Sequence, residues 1–349
     1  MTVCMANLLS VTDGGFPATK DRAAPPDPPV GRADREPGRG PALRGGKGLP
    51  PSRSVPSWTW RDAIRCVRQG LHRDQGETPA RGLTTVRPPP LPCEIQGRPH
   101  TLSAAATREE REEAYAFVHN HYVKTGYIAP EPSGLWYTAH AALPQTATLV
   151  IRSAEGRIVA TGTVIPDSPL GLPADDLFRA ETDSLRKAGR RLCEICSLVA
   201  DEGEHDGGIS AVMYLFRAAV WYAMHVLGAD DLISDVTPRH ARFYKRALLL
   251  EDLGAERPDP RYRLPAVALR LDTRTIEART AAKYSSRTDG RNFDAFFFQV
   301  PERAPTVDYL RVAVTPLDAA DGRHFFLGNE RFRSRTPAGH VAYLREVLC

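Results

Sequence analysis

An eleven-residue run, RLCEICSLVAD (191–201), is apolar on both sides when read as a β-strand. A period of two puts Leu192, Glu194, Cys196 and Leu198 on one face and Cys193, Ile195, Ser197 and Val199 on the other. Such a strand needs cover above and below, which places it inside a sheet. The next long segment, GGISAVMYLFRAAVWYAMHVLGA, carries Ile209, Val212, Met213, Phe216, Val220, Ala223 and Leu227 on one helical face. Upstream, TREEREEAYAFVHNHYV opens with Thr107 and Glu110 at capping-box spacing, which predicts a helix. Two β-rich runs around Glu155-Gly156 predict a hairpin. A Pro-rich loop then leads into a helix from about Asp175 to near Gly189. Downstream, DLISDVTP reads as a strand, RHARFYKRALLLEDLG as a helix and PAVALRLD as a last strand. The order α, β-hairpin, α, β, α, β, α, β fits an α/β (α+β) fold, a mixed central sheet flanked by helices.

The ends of the chain differ from this core. Residues 1–100 hold 16 of the 30 prolines and 12 of the 27 glycines, with 15 basic against 9 acidic residues. So little apolar surface does not offset chain entropy, and a disordered arm is expected there. WTWRDAIRCVRQGLH (58–72) is an exception with helical spacing, and RPPPLPCEIQGRP returns to linker character. Residues 101–349 carry 31 basic and 33 acidic groups, so the basic surplus of the chain lies in the arm. That distribution speaks against a nucleic-acid-binding core. Six scattered cysteines do not make a disulfide scaffold, and the longest apolar region (212–227) is interrupted by Arg217 and His225. A cytoplasmic protein with reduced thiols is the expectation. In 273–349, NFDAFFFQV and YLRVAVTPLD look like strands and AGHVAYLREVL like a helix, a C-terminal extension closing over a domain at 101–272.

Glu194 is a carboxylate among apolar neighbours, and desolvation there raises its pKa toward the range of a general base. Cys193 and Cys196 point to alternate faces and make a poor metal site, so no metal is expected.

Three segments carry a resemblance: the DSPLGLP loop (167–173), Glu-x-x-Ser-Leu on the strand (194–198) and the RHARFYKR helix (239–246). Over roughly residues 107–272 the chain resembles the long-chain N-acyl amino acid synthases, GNAT-superfamily relatives of the acyl-homoserine-lactone synthases. The resemblance implies a GNAT-like sheet with a V-shaped opening, where an acyl thioester meets an amine. It implies no bound cofactor; the co-substrate is an acyl-phosphopantetheine thioester on an acyl carrier protein. Glu194 is then the base, and Tyr244 the acid that protonates the leaving thiolate. Asp167, Glu181 and Asp183 are candidates for binding the ammonium group, and His240 for contacting substrate. Ser197 stands where homoserine-lactone synthases have Arg, which favours an amino acid acceptor.

Gly207 and Gly208 would receive the pantetheine, but Asp201, Glu202, Glu204 and Asp206 surround them with negative charge. Four acids repel the pyrophosphate of free coenzyme A, whereas a carrier protein brings a single phosphate near the surface. Arg186, Lys187, Arg190 and Arg191 form a basic cluster that could receive an acidic carrier. Met213, Phe216, Trp221 and Met224 are candidates to line an acyl cleft, and the acyl product suggests peripheral membrane contact. Two other readings fit the sequence: a coenzyme-A-dependent GNAT acting on a small amine, and a non-catalytic GNAT-like module with the basic arm as its binding element.

Overall fold

A computed structural model describes residues 87–201, 210–288 and 292–348. The arm up to residue 86, with the 58–72 segment, lies outside the described residues, as do Gly207 and Gly208. Eight strands form one mixed sheet: β1 (Leu91–Ile95), β2 (Arg98–Ala104), β3 (Ala147–Ser153), β4 (Ile158–Pro166), β5 (Leu192–Ala200), β6 (Asp231–Val236), β7 (Glu251–Pro258) and β8 (Pro265–Asp272). Their order is β1-β2-β3-β4-β5-β6-β8-β7. Every neighbouring pair is antiparallel except β5 and β6, which run parallel.

Helices cover both faces. On one side, α1 (Arg108–Lys124) and α2 (Asp175–Lys187) pack Tyr115, Val118, Tyr122 and Phe178 against Leu192, Cys196 and Ile233. On the other, α3 (Ala211–Tyr222, continued as a wider turn through Leu227) and α4 (Pro238–Ala247) pack Phe216, Val220 and Tyr244 against Cys193, Ile195 and Leu232. The capping box forms as read: Glu110 N–H donates to Thr107 Oγ1, and Thr107 N–H donates to Glu110 Oε2.

Three segments differ from the sequence reading. Residues 91–104 are a hairpin rather than linker, and they add two strands to the sheet. Gln96 and Gly97 both have positive φ (53° and 73°), the backbone of a two-residue turn, while Leu91 and Ile95 are buried. Neighbouring prolines obscured this short period-two pattern. The helix expected through residue 254 ends at Ala247, because Leu249 turns left-handed (φ 59°) two residues before β7 begins. β7 is a charged, largely exposed edge strand, the usual protection against edge pairing.

The two strands expected in the extension are helices. After α5 (Ile276–Tyr284) come α6 (Phe293–Phe298), capped by the Asn292 side chain, and α7 (Arg303–Ala313). A short apolar run does not by itself separate strand from helix. Here three phenylalanines fit the surface of α3, where Trp221 Nε1 donates to Phe297 O at 2.8 Å. The chain then crosses to the opposite face as α8 (Ala319–Gly322), α9 (Glu330–Arg335) and α10 (Ala338–Leu348), where Phe325, Phe326, Leu344 and Leu348 join the α1 side. AGHVAYLREVL is the helix α10, as read.

Candidate active site

The centre of the sheet is opened by two local features. β5 and β6 pair at only three positions, Leu192 with Asp231, Cys193 with Leu232 and Glu194 with Ile233. β6 then continues to Val236 against β8 alone, so a wedge opens past Glu194. On its other edge, β5 carries a bulge. Thr163 pairs with Cys196 and Thr161 with Val199, which leaves Gly162 opposite Ser197 and Leu198. Ser197 takes φ 52° there. This corrects the strict alternation expected along the strand. Leu198 joins Cys193 and Ile195, and Val199 joins Leu192 and Cys196, because the extra residue exchanges the faces.

Glu194 is fully buried where the wedge begins. Oε2 accepts the Ala174 N–H at 2.8 Å, and Oε1 has no partner among the described residues. The donor lies at the end of the DSPLGLP loop. Gly171 (φ 74°) shapes that loop: a Cβ there would clash with Asp175 Oδ2, which accepts from Leu172 N–H. Burial, then the nearby Asp235 carboxylate, hold the Glu194 pKa well above the usual carboxylate range; Ala174 N–H and Arg261 oppose the shift. A carboxylate raised in this way is suited to accept a proton near neutrality.

Asp235 and Arg261 were missed in the sequence, although the period of two in DLISDV puts Asp235 on the same face as Ile233. Arg261 binds Asp235 Oδ2 (3.2 Å), Asp259 Oδ2 (2.9 Å), Asp176 Oδ2 (3.2 Å) and Pro173 O (3.1 Å). It thereby ties the β7–β8 loop and the loop before α2 to the floor of the wedge. No sequence motif marks this arginine, since its partners are far apart along the chain.

The other candidate residues fall into separate groups. Tyr244 is fully buried, its hydroxyl has no partner among the described residues, and it packs against Phe216 on the face away from Glu194. Burial raises its pKa well above the ordinary value and keeps the hydroxyl protonated. His240 is buried at the start of α4; Nδ1 lies 2.7 Å from Thr237 Oγ1, and burial, then Arg239, lower its pKa to about 4. Asp167 accepts from Arg186 at 2.7 and 2.9 Å, and Asp183 from the same guanidinium at 2.7 Å. Glu181 is paired with Arg257. Those three acids are thus engaged by arginines rather than gathered around Glu194.

In the basic cluster, Arg186 also binds Asp175 (2.9 Å), and Arg190 binds Asp231 and Asp272. Lys187 and Arg191 are exposed. All four precede β5, at the closed end of the strand pair and opposite the wedge. Met213, Phe216 and Trp221 are fully buried on the α3 side of the sheet; Phe216 lines an apolar cavity there with Val220, Leu248, Phe293 and Phe297, and Met213 and Trp221 do not line it. A narrow cleft also opens on the Glu194 face, beside the bulge. Tyr115, Trp136 and Tyr137 wall it, with Thr163, Cys196 and Ser197 at its base. Cys193 and Cys196 lie on opposite faces, burial pushes both thiols up, and no metal-binding cluster occurs among the described residues. No described helix is long and apolar enough to cross a membrane.

Residues 113–272 match the family model described as N-acyl amino acid synthase FeeM. Among solved structures, the chain is similar to FeeM, an N-acyl amino acid synthase from uncultured soil microbes. The identity is 23% and the TM-score 0.47, covering 53% of this chain and 96% of that one. It is also similar to the coenzyme-A-dependent acyl-homoserine lactone synthase BjaI (15% identity, TM-score 0.37, 56% and 99% covered). A third is the acyl-homoserine-lactone synthase LasI (15% identity, TM-score 0.36, 51% and 91% covered). No curated protein matches.

Proposed function

We propose that this chain, an acyltransferase by the family that residues 113–272 match, moves a long-chain acyl group from a carrier-protein thioester to the amine of an amino acid. The observation that carries the reading is Glu194, buried at the apex of the wedge with one oxygen fixed and the other unpartnered among the described residues. The amine nitrogen attacks the thioester carbonyl carbon, and its surplus proton passes to Glu194 directly or through a water. The C–S bond then breaks, and the thiolate takes a proton to leave as the thiol. The thioester is already activated, so alignment and proton removal are the main tasks. Backbone N–H groups of β5 past Glu194, released from pairing with β6, are suited to receive the developing oxyanion.

Base and acid stand on opposite faces in this scheme, and the wedge is the passage between them. Tyr244 is suited to protonate the thiolate on the α3 side. Tyr244→Phe is expected to be neutral or slightly stabilising, since a buried unpaired hydroxyl costs about 1–3 kcal/mol. The same change is expected to lower turnover at least tenfold, within the range for loss of a general acid. Unchanged turnover would remove Tyr244 from the chemistry.

The Ser at 197, where the homoserine-lactone synthases have Arg, supports an amino acid acceptor. The acidic residues from Asp201 to Asp206 support a carrier-protein donor over free coenzyme A. Purified enzyme given an acyl-carrier thioester and a panel of amino acids is expected to release one thiol per N-acyl amino acid formed, read by mass spectrometry. Acyl-coenzyme A is expected to be poorer by roughly tenfold or more, the scale of unfavourable charge juxtaposition. Equal rates with both donors would defeat the carrier assignment, and no product with any amino acid would defeat the acceptor assignment.

A further inference from the structure

The extension beyond residue 272 crosses to the face of the sheet that carries Glu194, and there it meets a loop of the matched segment. Residues 125–138, TGYIAPEPSGLWYT, join α1 to the short turn at Ala139–Ala142 with no helix or strand of their own. Connections of this length are uncommon in a compact domain unless they serve a function. The loop delivers Trp136 and Tyr137 to the wall of the cleft beside Ser197. Tyr122 and Tyr262 set the indole of Trp136, with ring centres 6.0 and 5.7 Å from its own. Its Nε1 is buried without a partner among the described residues, a donor left over at the cleft.

Tyr137 is held from the extension. Its hydroxyl donates to Phe325 O at 2.9 Å and accepts from Asn329 Nδ2 at 3.4 Å. Its ring lies 4.9 Å from that of Tyr115 in α1, and 5.5, 5.6 and 6.1 Å from Phe326, Phe325 and Phe332, the last nearly parallel to it. Earlier in the loop, Glu131 accepts from Arg331 at 2.8 Å and from Arg335 at 2.9 Å, both in α9. Exposed ion pairs are weak singly, so the ring contacts and the Tyr137 hydrogen bond carry more of the hold. All these partners from Phe325 onward lie outside residues 113–272; the matched segment forms the cleft, and the extension braces one of its walls.

The cleft stands on the amine's side of the proposed reaction. Cys196 at its base follows Glu194 by two residues on the same face, about 7 Å at the rise of a strand. An amino acid whose nitrogen meets Glu194 Oε1 can lay its side chain toward Ser197 and the Trp136–Tyr137 wall, while the thiolate leaves on the opposite face. We propose that Arg331, Phe332 and Arg335 of α9 are positioning residues that set the acceptor's side-chain pocket, by holding the 125–138 loop through Tyr137 and Glu131. The inference rests on the amino acid acceptor reading above.

The test uses the full chain and an acyl-carrier thioester, with two acceptors: glycine, which has no side chain, and the best acceptor among the other protein amino acids. Phe332→Ala is expected to raise KM for the second acceptor about tenfold, with KM for glycine and for the thioester changed less than about twofold. Phe332→Tyr keeps the ring and is expected to keep the wild-type KM values. Arg331→Ala/Arg335→Ala, a surface change that tests the same loop if Phe332→Ala does not fold, is expected to raise the same KM about threefold. Amide hydrogen exchange over residues 129–138 should quicken in both variants while β5 stays protected. A KM shift shared equally with glycine or the thioester, or no shift, would overturn the positioning role and leave acyl transfer to an amino acid standing. So would a wild type that accepts glycine alone. No product with any amino acid would instead overturn the acceptor reading on which the inference rests.

Discussion

Glu194→Gln is expected to lower turnover by roughly 10²–10⁴-fold, the range for removal of a general base. The change keeps the shape of the side chain and an oxygen that can accept the Ala174 N–H, but removes the basic site. The pH dependence follows from the direction of the Glu194 shift. Burial and Asp235 raise its pKa, so activity through Glu194 is expected to fall as pH drops through that raised value, well above the ordinary carboxylate range. The stability effect has the opposite sense. A carboxyl whose folded pKa lies above its unfolded value binds more protons when folded, so its contribution declines as pH rises from the ordinary value toward the raised one. Glu194→Gln should therefore match or exceed the wild type in thermal midpoint at alkaline pH while being nearly inactive. Full turnover at saturating substrates, or a variant that melts well below the wild type at that pH, would exclude this account.

Arg261→Met is expected to be the most destabilising change outside the apolar cores. Asp235 and Asp259 are both buried beneath this guanidinium, and losing the cationic partner of a buried pair typically costs about 3–5 kcal/mol. Denaturant titration reads that loss directly. The arginine also helps to hold the Glu194 pKa down, so residual activity should require higher pH than in the wild type. Adding Asp259→Asn should recover part of the stability by removing one unpaired charge. Neither a lower midpoint nor a displaced pH profile would mean that Arg261 serves neither role.

The sequence made legible those parts of the fold whose physics is local. The capping box at Thr107 and Glu110, the turn at Glu155-Gly156 and the burial of Glu194 on an apolar strand each depend on a few adjacent residues. The matched family segment and the mixed sheet with helices on both faces agree with the resemblance read from the chain. What could not be read depends on distant partners or on a single unusual backbone angle. Ser197 at φ 52° exchanges the faces of Leu198 and Val199, and nothing in the SLVA pattern announces it. Arg186 and Arg190 resemble a surface patch in one dimension, and only folding brings Asp167, Asp231 and Asp272 to them. Phe293 to Phe298 read as a strand because six residues show no period; their burial against α3 selects the helix.

The three-residue pairing of β5 with β6 has a mechanical consequence. It divides the sheet into two antiparallel plates, β1 to β5 and β6-β8-β7, whose shared edge is shorter than any other strand contact in the sheet. A force that separates neighbouring strands therefore meets its least backbone resistance along this seam. The line of easiest fracture runs through Glu194, so the protein's weakest joint and its proposed chemistry occupy the same few ångströms.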